Sequence, residues 1–291
     1  MTWSIRDKTV LVTGANSGIG KETARELARD DAHVLLHARR EDAGQAAVDE
    51  IRQGTGNDQV ELVLADLADQ DQVRRLAKEL NGRLNHLDVL INNAGAVLDQ
   101  RYLTPQGNEQ QFEVNHLAPF LLTHELLGLL RQAAETHGEA RVINVASEAH
   151  WNVRKPPEAL QSLTGRYSSF GVYSQTKLYN ILFTQELAEQ LAGTGIQAHC
   201  LHPGVIGSNF GSGGPWYVRA FMKLAGRFLT SPEEGAETTL YLATAPEIPA
   251  VPGTYFKDAQ PAETSKMAQD PELQRRLWEE SEALTGVAGW P

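Results

Sequence analysis

Six short apolar runs, separated by longer amphipathic stretches, constrain this chain more than any other feature. The runs are Thr9–Val12, His33–His37, Val60–Ala65, Leu87–Ile91, Arg141–Ala146 and Ile196–Leu201. None alternates apolar with polar residues, as a strand with one wet face would; strands covered on both faces read this way. Helical spacing recurs between them at Ile19–Arg29, Asp42–Gln53, Gln70–Leu80, Gly107–Ala133 and Val172–Ala192. Strands alternating with helices predict an α/β doubly wound parallel sheet with helices on both faces. A seventh strand is expected near Thr254–Phe256, after a helix opened by Ser231 as N-cap and Pro232, and a terminal helix over Pro271–Ala283. With no repeat or low-complexity linker, residues 1–291 read as a single domain with a seven-stranded Rossmann-type sheet.

Two segments interrupt the alternation. Residues 151–169 carry Pro156 and Pro157 without periodicity and read as an inserted loop. Residues 207–230 begin glycine-rich and continue into Trp216, Tyr217 and Phe221, which suits a substrate lid after a strand end.

Composition excludes several classes. A net charge of −11 disfavours nucleic acid or an anionic membrane as main partner. Cys200 is the only cysteine, so no internal disulfide forms, and its apolar surroundings suit a buried structural thiol. No targeting or membrane-anchoring segment is evident, and a cytoplasmic location is expected. His116, His150, His199 and His202 lack the spacing or carboxylate partners of a metal site, and no metal is expected.

The first strand runs into Thr13-Gly14-Ala15-Asn16-Ser17-Gly18-Ile19-Gly20 and then a helix. Strand, glycine turn and helix N-terminus make a phosphate cradle, because glycines let the backbone approach and the first N–H groups face the anion. Gly14, Asn16, Ser17, Gly18, Ile19 and Gly20 are therefore candidate cofactor residues. After the second strand come Arg39 and Arg40, with Arg39 19 residues beyond Gly20. A carboxylate at that distance suits a ribose 2′-hydroxyl; guanidinium groups suit a 2′-phosphate, with Lys21 adding positive charge. Asp66 and Leu67 end the third strand, where Asp66 either holds an adenine amino group or caps the following helix. Asn92-Asn93-Ala94-Gly95 closes the fourth, lining an adenosine or simply turning.

Tyr173 and Lys177 stand one helical turn apart and share a face. A free tyrosine titrates near pH ~10, and a neighbouring cation lowers that value. Ser147 ends the fifth strand, where its hydroxyl can bond a substrate oxygen or cap a turn. Asn115 lies on an otherwise apolar helix face and must be satisfied, by an ordered water or by packing on backbone.

Together these residues resemble the short-chain dehydrogenase/reductase family, in its retinol-dehydrogenase-like branch. The resemblance rests on Thr13-Gly14-x-x-x-Gly18-Ile19-Gly20, Asn92-Asn93-Ala94-Gly95, Asn115, Ser147, Tyr173-x-x-x-Lys177 and Pro203-Gly204, with Asn144-Val145-Ala146-Ser147-x-x-His150 and Leu182-Phe183-Thr184-x-Glu186-Leu187 marking the branch. It implies a catalytic set of Tyr173, Lys177, Ser147 and Asn115. Tyr173 exchanges a proton with the substrate oxygen, which Ser147 orients. Lys177 lowers the Tyr173 pKa and bonds a nicotinamide ribose, and Asn115 holds a relay water. Arg39 selects NADP(H), while Pro203, Gly204, Val205 and Ser208 approach the nicotinamide.

Ser208 replaces the family's usual threonine, and Ser147 and Tyr173 are 26 residues apart, a wider gap than usual, so residues 151–169 should border the substrate pocket. The expected substrate is a small apolar carbonyl or alcohol, with Trp151, Phe170, Trp216, Tyr217 and Phe221 as pocket wall. The resemblance also implies a homodimer or homotetramer formed through the Tyr173 helix and the preceding long helix. The competing reading is a catalytically silent NADP(H)-binding regulator or scaffold. A sugar-nucleotide epimerase would want more substrate domain than the roughly 90 residues after His202 supply.

Overall fold

The computed structural model describes residues 3–204 and 231–290. Eight strands form one sheet in the order β3-β2-β1-β4-β5-β6-β7-β8. They are β1 Thr9–Val12, β2 His33–Ala38, β3 Val60–Leu64, β4 Val89–Asn92, β5 Ala140–Val145, β6 Ile196–His202, β7 Tyr255–Lys257 and β8 Gln260–Pro261. The first seven are parallel, as their patterning predicts. The eighth corrects the seven-strand expectation: it pairs antiparallel with β7. Asp258 and Ala259, at φ 51° and 55°, form the two-residue turn between them, the left-handed pair that matches strand twist.

The strands are apolar on both faces because both are covered. Leu11, Leu35, Leu90 and Val142 point into one core layer, and Val10, Val12, Val34, Leu36, Ile91 and Val145 into the other. The first layer is closed by α3 (Gln70–Arg83), α4 (Ala118–Glu125) and α5 (Leu127–His137); the second by α1 (Gly18–Arg29), α2 (Glu41–Thr55) and α7 (Pro232–Thr244). The chain order reverses between β1 and β4, and ligands of such sheets bind outside the carboxyl ends of the strands there.

The expected continuous helix over 107–133 is broken. Helix begins at Gln110–Phe112, widens into a π turn over Glu113–Leu117, resumes as α4 and restarts as α5 after Leu126. Pro119 explains part of this: it lacks the N–H that an α-helix would aim at the Asn115 carbonyl. The Ala118 N–H instead reaches back five residues to the Glu113 carbonyl.

Helix α6 (Ser169–Gln190) is capped by Ser168, whose hydroxyl accepts the Gly171 N–H. Its outer face meets α8 (Pro271–Thr285), and Phe120, Phe183, Trp278 and Trp290 pack as an aromatic cluster against the face that the resemblance assigns to subunit association. The insertion is pinned rather than loose. Arg101 donates to the carbonyls of Ser162, Thr164 and Gly165 at 2.5, 2.9 and 3.0 Å, and the Tyr167 hydroxyl bonds Glu109 at 2.9 Å. Among the described residues no helix is long and apolar enough to cross a membrane.

Candidate active site

The glycine turn is held from two sides. Thr13 Oγ1 accepts the N–H groups of Asn93 and Ala94 at 2.9 and 3.0 Å, and Asn93 Nδ2 donates to the Thr13 carbonyl at 2.8 Å. Asn93 and Ala94 thus brace the cradle, with the Asn93 amide spent on backbone. Gly14 and Gly18 sit at φ 64° and 57°, where a side chain is strained. A Cβ on Gly20 would lie 2.4 Å from Asn93 Nδ2 and 2.6 Å from the Gly14 oxygen. Gly20→Ala is therefore expected to cost about 1–3 kcal/mol, seen as a lower urea midpoint together with weaker dinucleotide binding.

The first turn of α1 fits an anionic ligand. Ser17 precedes it without a side-chain cap, and no acid occupies the turn. Its N–H groups therefore face outward beside Asn16, Ser17 and Ile19, as a pyrophosphate requires. Lys21 does not contribute the free charge expected of it, because Glu50 holds its ammonium at 2.9 Å.

At the end of β2 both arginines are exposed. Arg40 leans toward Asp42 at 3.5 Å, whereas Arg39 has no ion-pair partner among the described residues. At the end of β3, Asp66 Oδ1 accepts the Ala68 N–H at 3.0 Å, and Asp69 rather than Asp66 caps α3. The Leu67 side chain is buried in the core, leaving its backbone at the strand end. Gly95 follows β4, and Pro203 and Gly204 follow β6, all partly exposed. Val205, Ser208, Trp216, Tyr217, Phe221 and the 207–230 lid lie outside the described residues.

Ser147, Tyr173 and Lys177 do meet. Ser147 hydrogen-bonds with Tyr173 and also accepts the Ala149 N–H at 3.2 Å, so it serves as turn cap and site residue at once. Lys177 Nζ lies 5.7 Å from the Tyr173 ring centre and donates to the Val145 carbonyl at 2.7 Å. Both side chains are more than nine-tenths buried. Burial lowers Lys177 to about 7. It pushes the Tyr173 phenol up from its ordinary value, against the hydrogen bond from Ser147. The expectation of a lowered Tyr173 pKa is reversed in the described structure: desolvation penalises the phenolate and outweighs the Ser147 hydrogen bond that favours it.

Asn115 is fully buried, and its side chain is committed to protein. Its Oδ1 accepts the Ala96 N–H at 2.7 Å, and its Nδ2 donates to the Ala96 carbonyl and to Thr176 Oγ1, each at 3.0 Å. Of the alternatives for Asn115, its side chain takes packing on backbone. Pro119 leaves its main-chain carbonyl without the N–H that an α-helix would supply.

Phe170 lies 6.0 Å from the Tyr173 ring and is 46% exposed, and Trp151 is 48% exposed. Phe170, half in water beside the phenol, makes an apolar rim, and Trp151 stands half-exposed in the turn Glu148–Asn152 that follows Ser147. Cys200 is buried, its thiol pushed up to about 12 by desolvation. His116, bonded to Ser281 at 2.8 Å, and His150, bonded to the Ser147 carbonyl at 2.7 Å, are buried neutral groups. A different trio, His86, Asp88 and His137, is the one grouping among the described residues close enough to grip a metal. It lies at the amino ends of the strands, away from the site, and Lys8 already meets the Asp88 charge at 3.2 Å. His37 was missed by sequence reasoning. It ends a strand as a lone apolar-context histidine, yet it touches the glycine turn.

The parallel sheet, the cradle at its reversal point and the Ser-Tyr-Lys grouping define one class. The short chain dehydrogenase family profile matches residues 8–213. The chain belongs to this family of oxidoreductases acting on alcohol and carbonyl groups, in its retinol-dehydrogenase-like branch. It is 40% identical over 283 residues to retinol dehydrogenase 12 of Mus musculus, covering 97% of this chain and 88% of that protein. Among solved structures, an uncharacterized protein from Mycobacterium paratuberculosis is 34% identical at a TM-score of 0.77, covering 100% of both chains. The RhlG/NADP active-site complex of Pseudomonas aeruginosa is 27% identical at a TM-score of 0.66, covering 83% of this chain and 91% of that one.

Proposed function

We propose that the protein is an NADP(H)-dependent oxidoreductase acting on apolar aldehydes, ketones or the matching alcohols. The observation that carries this is the buried Ser147–Tyr173–Lys177 group beside an exposed apolar rim. The bound nicotinamide would supply or accept the hydride. Ser147 holds the substrate oxygen against Tyr173. In reduction Tyr173 gives that oxygen its proton, and burial keeps the phenol protonated for the task. The Lys177 ammonium stabilises the phenolate that this leaves, and in oxidation the phenolate takes the proton from the alcohol. The Asn115 carbonyl holds the water that returns protons by way of Lys177. Phe170 covers one side of the phenol and favours an apolar substrate.

For the cofactor, Arg39 supports NADP(H): its guanidinium is exposed, without an ion-pair partner among the described residues, at the strand end nearest the 2′ position. Arg39→Asp is expected to weaken NADPH by about 30-fold, the equivalent of ~2 kcal/mol. NADH binding should change less than about threefold. Titration of both dinucleotides by fluorescence separates these outcomes, and equal losses contradict the 2′-phosphate assignment. Turnover is tested with NADPH and lipophilic aldehydes; tight NADPH binding without turnover across such a panel would favour the scaffold reading.

A further inference from the structure

His37 joins the three strand ends that build the dinucleotide side of the site. Its Nδ1 faces the Gly14 N–H at 3.1 Å, and its Nε2 faces the Ala65 carbonyl at 3.1 Å. Its own carbonyl accepts the Ala15 N–H at 2.9 Å. The partners dictate the proton. A backbone N–H can only donate, so Nδ1 is bare; a carbonyl can only accept, so Nε2 carries the hydrogen. An imidazolium would set N–H against the Gly14 N–H. Burial therefore prevails over Asp66, the charged group that favours protonation, and lowers His37 to about 4. Arg39, two residues along the same strand end, is exposed to water.

We propose that His37, as the Nε2–H tautomer, is a positioning residue for the dinucleotide. It fixes the glycine turn after β1 against the end of β3, so that the pyrophosphate cradle and the adenosine end stay in register. The inference rests on the NADP(H) reading. It also explains why the Gly14 amide is turned inward: that donor serves the strand-to-strand brace, leaving the anion to the first N–H groups of α1. Two features set this histidine apart from ordinary core packing. It spends both nitrogens on backbone, and it stands two residues before Arg39, proposed for the ribose phosphate, while its Ala65 partner immediately precedes Asp66, the candidate for the adenine.

The test compares wild type with His37→Leu and His37→Gln. Glutamine can present an acceptor and a donor at similar spacing, whereas leucine fills the space and serves neither partner. NADPH affinity is expected to fall about tenfold in His37→Leu and to stay within about threefold in His37→Gln. Urea unfolding of each variant ensures that folded protein is titrated. In wild type, 15N NMR at neutral pH should show Nδ1 unprotonated and Nε2 protonated. A folded His37→Leu that binds NADPH like wild type, or an Nδ1–H tautomer, overturns the positioning role. Failure of wild type itself to bind NADPH contradicts the cofactor assignment instead, so the two failures are distinct. Should His37→Leu not fold, a His37→Gln variant that loses NADPH as badly as Gly20→Ala also counts against the role.

Discussion

Tyr173→Phe is expected to lower turnover by about a thousandfold while leaving NADPH affinity within about threefold of wild type. The phenol oxygen is the only atom removed. The ring keeps its place against Phe170, and Ser147 keeps its bond to the Ala149 N–H, so the site around the lesion stays built. No other neutral hydroxyl that can donate a proton stands beside Ser147 on α6 with a cation one helical turn away. The two readouts must be taken together, NADPH consumption for turnover and fluorescence titration for affinity. A fall in both would place Tyr173 in binding. Unchanged turnover would remove it from the chemistry.

Lys177→Met should abolish most activity and yet stabilise the cofactor-free protein. Burial holds the Lys177 amine at about 7, against 10.5 for an ordinary lysine. Between those values the unfolded chain binds a proton that the folded chain does not, so wild-type stability rises with pH from about 7 to about 10.5. Below pH ~7 both states are protonated and the folded protein carries the whole desolvation penalty, a few kcal/mol. Methionine carries none and fills similar space. The Val145 carbonyl is not orphaned by the change, because Asn180 Nδ2 also donates to it at 3.2 Å. Urea unfolding should therefore show the variant more stable than wild type, with a larger margin at pH 6 than at pH 9. A variant less stable at both pH values would mean that the ammonium is well compensated in the fold. The site thus holds a charge at a cost to stability, which is sensible only where that charge has work to do.

The parallel sheet was legible because strands covered on both faces are mostly apolar, and β1 to β6 are, with polar exceptions such as Arg141 and Asn144 buried on hydrogen-bond partners. Strand β8 was not, since two residues carrying Pro261 leave no pattern, and the Asp258-Ala259 turn lacks the glycine that usually announces such a hairpin. The break within 107–133 was hidden for a related reason. Apolar spacing survives a π turn, and only Pro119, four residues after Asn115, marks it.

At the site, residue types at fixed spacing were readable; commitments of polar groups across long separations were not. Ser147, Tyr173 and Lys177 come together as their strand-end and one-turn positions imply. That Glu50 takes the Lys21 charge, that Asn93 spends its amide on Thr13, and that Asn115 is tied to Ala96 and Thr176 follow only from the folded chain. The direction of the Tyr173 shift belongs here too. One helical turn places the lysine near the phenol, but burial, which sequence spacing does not measure, decides the sign.

The account stands or falls on redox turnover that depends on one phenol. Purified wild type and Tyr173→Phe, each shown to bind NADPH, should be mixed with NADPH and a panel of lipophilic aldehydes while cofactor oxidation is followed. The predicted result is oxidation matched by alcohol formation in wild type and about a thousandfold less in the variant. Equal rates in the two proteins, or NADPH bound tightly by wild type with no aldehyde reduced, would contradict it.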